Sequence, residues 1–358
     1  MLKKIAIVGT VGLPANYGGF ETLTEYITKA LNTEFDFTVY CSSKSYDKKL
    51  ECYNNCRLKY VNLEANGMQS ILYDMLCIMD ALKYADTIVV LGVSGCVILP
   101  FVRLFSKKKF IVNIDGLEWK RQKWNGFAKW FLKFSERLAV KYADQVVADN
   151  KVIQNHVSTS YGKPSHLIAY GGDHTTRETL SATSLKQYPF LKHPYAFKVC
   201  RIEPENNIEM ILQAFSKTKQ LPLVLVGNWN KSDFGRQMKR NYDGISHIHL
   251  LDPIYNQKLL NELRSNCYMY VHGHSAGGTN PSLVEAMSLG LPVVAYGVQY
   301  NSETTCNQAF YFQSSDELSD LMSSILKSDL VTNAATMKTI ADKLYTWIGV
   351  AEKYKALF

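Results

Sequence analysis

The chain has 358 residues, of which 47% are hydrophobic and 20% charged. That length is too great for one comfortable core and calls for two domains of ordinary size, and the composition excludes a disordered or collagen-like chain. A formal charge of +8 suits a phosphate-bearing substrate, nucleic acid or an anionic membrane surface, and by itself selects none of them.

Eight cysteines occur without a CxxC pair and no signal-peptide pattern precedes the first apolar run, so the expectation is reduced thiols in a cytoplasmic protein, with no metal site. In chain order, Lys3 to Gly9 reads as a strand and Gly18 to Leu31 as a helix opened by a glycine pair. Further strands are expected at Asp36 to Ser42, Arg57 to Leu63, Asp86 to Gly92, Lys109 to Ile114 and Gln145 to Ala148, with helical periods at Met68 to Tyr84 and Trp119 to Tyr142. The most apolar run, Ile88 to Leu99, is too short to span a bilayer and contains Gly92, Ser94 and Gly95, so it reads as a buried strand followed by a helix start. Ser165 to Tyr170 looks like the last strand of this half, and Gly171-Gly172-Asp173 breaks the alternation.

A second alternating series has strands at Ala196 to Arg201, Leu223 to Gly227, His247 to Leu251, Cys267 to Val271 and Pro292 to Tyr296. The expected fold is α/β, with two facing doubly wound domains and a ligand cleft between them. The domains are drawn at 1–173 and 174–343, with a closing helix over 344–358 that returns to the first.

Each half carries a glycine-rich turn after a strand. In the second, Gly277-Gly278 precedes Thr279 or Asn280 as a helix cap and Pro281 as the first helical residue, with Glu285 about one turn further in. Unpaired N–H groups and the positive dipole end make that turn a seat for phosphate, with the carboxylate placed to accept from a hydroxyl. In the first, the long loop from Gly9 to Glu21 lacks both the dinucleotide spacing and a P-loop lysine, which argues against NAD. Gly18-Gly19 just before the helix suits an anionic group or a sugar, and a flexible surface loop is the alternative.

Three stretches together resemble the retaining glycosyltransferases of the GT-B fold. They are Gly-Gly-x-Glu near the start, Arg-Ile-Glu-Pro-Glu-Asn-Asn at 201–207, and Gly-Gly-Thr-Asn-Pro-Ser-Leu-Val-Glu-Ala-Met from Gly277. The loop from Gly9 to Thr22 and the segment Asn113-Ile-Asp-Gly-Leu-Glu-Trp-Lys-Arg121 are similar to the bacterial rhamnosyltransferases that build capsule, O-antigen and rhamnan chains. That resemblance implies transfer of L-rhamnose from dTDP-rhamnose to a polyprenyl-diphosphate-linked sugar, with retention and without a metal or other cofactor. A transferase of another nucleotide sugar, such as a UDP-hexose, is the alternative within enzymes, and a non-catalytic sugar-nucleotide-binding homologue is the alternative outside them.

Carried over by position, the resemblance makes Arg201 a diphosphate contact and Glu285 the partner of the ribose hydroxyls. The donor side would be completed by Gly18, Gly19, Asn206, His274, Gly277, Gly278, Thr279, Asn280 and Ser282. Tyr17, Phe20, Glu21, Asp115 and Glu118 would meet the acceptor, and Asp115 either orients it or caps the following helix. The chain departs from the family at two places: Asn206 stands where a lysine is usual, and Gly277 stands where the first of two glutamates is usual. The donor site therefore has one cation fewer and room beside the sugar, which suits a deoxysugar or a homologue without activity.

Along the expected Trp119 to Tyr142 helix, Phe127, Trp130, Phe131, Phe134 and Leu138 form an apolar stripe that alone would be core. Beside it, Lys129, Lys133, Arg137 and Lys141 follow one another at four-residue steps, where like charges repel unless an anion faces them. The expectation is a peripheral protein on the inner face of the plasma membrane, drawn to anionic lipid, with a solvated helix face as the alternative. No nucleic-acid reading module accompanies the basic residues, so nucleic acid is not an expected partner.

Overall fold

A computed structural model describes residues 1–16, 18–121, 124–219 and 221–358. The chain divides into two units, one of Met1–Tyr170 with Trp347–Phe358 and one of Gly171–Thr346.

The strands of the first unit are β1 (Lys3–Val8), β2 (Phe35–Ser42), β3 (Cys52–Tyr53), β4 (Cys56–Val61), β5 (Thr87–Leu91), β6 (Lys109–Asn113), β7 (Gln145–Ala148) and β8 (His166–Leu167). They form one sheet in the order β3-β4-β2-β1-β5-β6-β7-β8, parallel except for the β3–β4 pair. Strands covered on both faces need unbroken apolar runs, and all five residues of Thr87–Leu91 are buried. The chain winds outwards from β1 to β4 and then restarts on the other side of β1 with β5. The loops after β1 and β5 therefore leave the sheet at its switch point, where open α/β sheets bind ligands. The last helix, Trp347–Lys355, belongs to this unit: Trp347 stacks on Tyr26 with ring centroids 4.7 Å apart, and Tyr354 Oη accepts from Asn113 at the end of β6.

The second unit has β9 (Ala196–Val199), β10 (Leu223–Val226), β11 (Ile248–Leu251), β12 (Met269–His272), β13 (Val293–Tyr296) and β14 (Phe310–Phe312), in the order β11-β10-β9-β12-β13-β14 and all parallel. Its switch point lies between β9 and β12. The loops that follow these two strands carry Arg201 and Asn206 on one side and Gly277, Gly278 and Asn280 on the other.

Some expected elements differ. The helix expected from Trp119 begins at Gly126, where Asn125 accepts a hydrogen bond from Ala128 N, and residues 118–120 form a separate single turn. The strand expected at Ser165 to Tyr170 is only His166–Leu167, and β3 and β14 had no clear signal because two or three residues show no periodicity. The apolar stripe is not core. Phe127, Trp130 and Phe134 are exposed, and the helix instead buries Ser135, Glu136, Ala139 and Val140. A carboxylate is accommodated on that inner face because Glu136 accepts from Trp119 Nε1, His156 Nε2 and Tyr161 Oη at 2.7 to 2.9 Å. Among the described residues no helix is long and apolar enough to cross a membrane.

Candidate functional site

The turn around which the second unit's site forms follows β12. Asn280 caps the Pro281–Ser288 helix by accepting from Ser282 N at 3.0 Å and from Ser282 Oγ at 2.8 Å, and Pro281 occupies the first turn. Gly277 has φ +126°, a conformation that side chains with a Cβ rarely adopt. The helix end is thus fixed by its own sequence, with its dipole directed at whatever occupies the switch point.

The loop after β9 is joined to this turn by hydrogen bonds. Asn206 is buried; its Nδ2 donates to Arg201 O at 2.8 Å and its Oδ1 lies 3.0 Å from His274 Nδ1. Asn207 Nδ2 donates to Gly273 O at 2.9 Å, and Ser275 N and Oγ both donate to Glu205 O. A Cβ on Gly273 would lie 2.2 Å from Asn206 O, so the two loops approach more closely than any other residue would permit. The residue that stands in place of the usual lysine is therefore a brace. Arg201 is exposed, 3.9 Å from Glu203 through Nε.

Glu285 sits on the first turns of the capped helix with both oxygens engaged. One accepts from Arg264 Nη1 and the other lies 3.2 Å from His174 Nε2. Burial alone would raise this carboxyl's pKa, but the Arg264 guanidinium and the His174 hydrogen bond outweigh it and hold the group at about 2. A carboxylate fixed as an anion can only accept, which matches a sugar hydroxyl and repels a phosphate. His174 is brought there by the Gly171-Gly172 turn: a Cβ on Gly172 would strike Val284 O and Ser288 Oγ at 2.5 Å, so only glycine lets the segment lie against the helix. Neither Arg264 nor His174 was found by sequence reasoning; the Gly-Gly break is a trace of His174, and Arg264, on the Gln257–Ser265 helix, left none. His272, at the end of β12, is buried and its Nε2 has no hydrogen-bond partner among the described residues. Burial first, then the charge of Lys198, keeps its pKa well below the usual range for histidine.

At the first unit's switch point, Gly9 (φ +85°) allows the loop after β1 to pass over Leu91, whose carbonyl a Cβ would meet at 2.1 Å. Glu21 is buried and accepts from Thr10 Oγ1 at 2.8 Å and Val11 N at 2.7 Å, so it ties this loop to the Gly19–Leu31 helix. Phe20 is half-buried with its ring 3.7 Å from the space beside Gly92, and Gly18 lies at the cap position of the same helix. Tyr17 lies outside the described residues. Asp115 follows β6 with φ +62°, a position sparsely used by residues other than glycine, asparagine and aspartate, and its N–H donates to Asn113 Oδ1. Glu118 is engaged by Arg121 at 2.7 Å and by Trp124 Nε1 at 3.3 Å. Asp74, which the sequence did not single out, is fully buried beside the loop after β5 and accepts from Ser94 Oγ. Burial pushes its pKa up to about 7 against the opposing Ser94 hydrogen bond. Among the described residues no group of three or more His, Cys, Asp or Glu could hold a metal ion.

Residues 183–343 match the family described as Glycosyl transferases group 1, and residues 2–173 match one described as Domain of unknown function (DUF1972). Sucrose-phosphate synthase from Thermosynechococcus elongatus superposes with a TM-score of 0.81 at 15% identity, over 99% of this chain and 98% of that one. The chain has the GT-B fold. Two further GT-B likenesses are Anabaena HepE in complex with UDP-glucose, with a TM-score of 0.76 at 14% identity over 100% of this chain and 99% of that one, and a glycosyltransferase from Rickettsia africae. The Rickettsia protein has a TM-score of 0.73 at 16% identity, over 99% of this chain and 97% of that one. No curated protein sequence matches this chain. The switch-point seat described above lies within the stretch that carries the group 1 match, which reaches from before β9 to beyond β14.

Proposed function

We propose that this GT-B chain is a retaining glycosyltransferase that moves L-rhamnose from dTDP-rhamnose onto a polyprenyl-diphosphate-linked saccharide, with no metal in the reaction. The observation that carries the proposal is the seat in the second unit: a capped helix N-terminus beside Arg201, with Glu285 held as an anion one turn in. The diphosphate meets the N–H groups at Gly278 and Thr279 and the Arg201 guanidinium, and Glu285 accepts from the ribose. In the transfer step the bond between the sugar's anomeric carbon and the diphosphate oxygen breaks as the acceptor oxygen bonds to that carbon from the same face. The acceptor's proton passes to the departing phosphate oxygen, and the stabilisation of the leaving charge comes from the fixed donors of the seat. Gly277 supports a deoxysugar because it offers no carboxylate to a hydroxyl.

A UDP-hexose is the second reading, favoured by the HepE complexes with UDP and with UDP-glucose. A panel of dTDP- and UDP-sugars presented with a short lipid-linked acceptor, read by mass spectrometry of the acceptor, separates them. A mass gain of one deoxyhexose from dTDP-rhamnose supports the first reading, a hexose gain the second, and no gain with any donor supports the non-catalytic homologue.

The acceptor's lipid places the work at the cytoplasmic leaflet, and the exposed face of the Gly126–Tyr142 helix supports this. Trp130 stacks on Phe134 and lies tilted against Phe127 in solvent, and Phe101, Leu104 and Phe105 on and just after the neighbouring Leu99–Val102 helix are exposed as well. Lys133, Arg137 and Lys141 are exposed on the same helix. Aromatic rings beside cations suit an anionic lipid surface better than water.

A further inference from the structure

Lys198 is the third residue of the four-residue strand β9, and it is 1% exposed. Side chains alternate across a strand, so it shares a face with Ala196, and its register partner on β10 is Leu225. Both belong to the apolar core completed by Ile208 and Ile211 of the Ile208–Lys217 helix. Burial lowers the pKa of this ammonium, and no hydrogen bond or ion pair to it is found among the described residues. A methionine would fill the same space without the cost of an unpaired buried charge.

Lys198 stands one residue before the end of β9, and the loop that follows, which joins β9 to the Ile208–Lys217 helix, carries Arg201 and Asn206. The Lys198 charge acts on His272 at the end of β12, the other strand of the switch point, where the buried ring Nε2 has no partner among the described residues. It also acts on Cys200, the residue before Arg201. Asn206, at the usual lysine position, is neutral and committed to Arg201 O and His274. The seat thus has the Arg201 cation in its wall without a second one at Asn206, and a further cation inside the strand that leads to it, in surroundings where charge is poorly screened.

We infer that Lys198 supplies, from inside the strand, the positive charge that holds the donor's diphosphate and that Asn206 cannot provide. The inference rests on the donor-site reading above and assigns the ligand as a nucleoside diphosphate. The electrostatic cost of burying Lys198 is offset when the dianion arrives, so the residue trades stability of the free protein for affinity.

That trade gives the test. Lys198→Met is compared with the unaltered protein by thermal denaturation, by calorimetric titration with dTDP and UDP, and by saturation-transfer NMR with thymidine and uridine. The expected result is a higher Tm for the free variant, affinity for both diphosphates at least tenfold weaker, and unchanged nucleoside signals. Unchanged diphosphate affinity overturns the inference, and so does an equal loss for nucleosides and diphosphates, which marks a packing role. If the variant fails to fold, lysine-selective NMR of the unaltered protein decides: the Lys198 ammonium signal shifts with dTDP and not with thymidine, or the inference falls. If the unaltered protein binds neither diphosphate, the donor-site reading falls first and takes this inference with it.

Discussion

Replacing Arg264 with Met removes the guanidinium from a Glu285 carboxylate whose surroundings exclude most water. The Arg264 side chain is 3% exposed and that of Glu285 16%, so solvent screens the pair little. Removing one partner of a buried pair costs about 3–5 kcal/mol, because the remaining charge has no compensation. The pKa gives an independent figure of similar size. A carboxyl that ordinarily titrates at 4.5 and is held at about 2 corresponds to roughly 3 kcal/mol of native-state stabilisation. Because the folded pKa is depressed, this contribution is present above pH 4.5 and is lost as pH falls towards 2. Urea unfolding of the second unit can be followed through Trp229, which is fully buried with Nε1 donating to Leu251 O, by fluorine NMR of fluorotryptophan-labelled protein. Arg264→Met should lower the unfolding free energy by about 3 kcal/mol at pH 7, and the double variant Arg264→Met/Glu285→Leu should recover most of it without recovering dTDP binding. A change under about 0.5 kcal/mol in the single variant would refute the reasoning, because exposed pairs behave that way.

Arg201→Ala should cost more than about 2 kcal/mol of transition-state stabilisation in kcat/KM, and kinetics near those of the unaltered enzyme would remove it from the diphosphate. Glu285→Gln should weaken calorimetric dTDP binding while far-UV circular dichroism stays unchanged. Asp74, whose folded pKa is raised to about 7, gives stability that is full below pH 3.8 and is lost as pH rises through 7. Asp74→Asn should therefore flatten the decline in first-unit stability between about pH 4 and 7, and parallel profiles would count against a buried neutral acid. Lys129→Glu with Lys133→Glu should weaken sedimentation with anionic vesicles and leave turnover of a soluble acceptor unaltered. Changing Phe127 and Trp130 to Ser should remove the part of vesicle binding that persists in high salt, since apolar insertion is not screened.

The alternation of apolar strands with helices made both sheets legible, because parallel strands covered on two faces leave long apolar runs in the sequence. The seat was equally legible, since Gly277, Asn280 and Pro281 are local signals that act within a few residues of one another. What escaped was set by tertiary distance. Arg264 reaches Glu285 from the Gln257–Ser265 helix and His174 reaches it from the turn that opens the unit, and no periodicity connects such positions. The stripe on the Gly126–Tyr142 helix shows the limit of pattern: spacing identifies an apolar face, but Glu136 with its three donors allowed the mixed face of Ser135, Glu136, Ala139 and Val140 to be the buried one. Lys198 escaped for the opposite reason, since a single lysine inside the expected Ala196 to Arg201 strand carries no local sign that its ammonium is buried.

The central claim is nucleotide-sugar transfer at a seat built from protein groups alone. Phosphorus-31 NMR of dTDP-rhamnose mixed with the protein, lipid-linked acceptor and excess EDTA follows the leaving group directly. The account predicts dTDP appearing in step with glycosylated acceptor, and abolished in Arg201→Ala. Absence of turnover with every nucleotide sugar, or turnover that returns only when a divalent cation is restored, would contradict it.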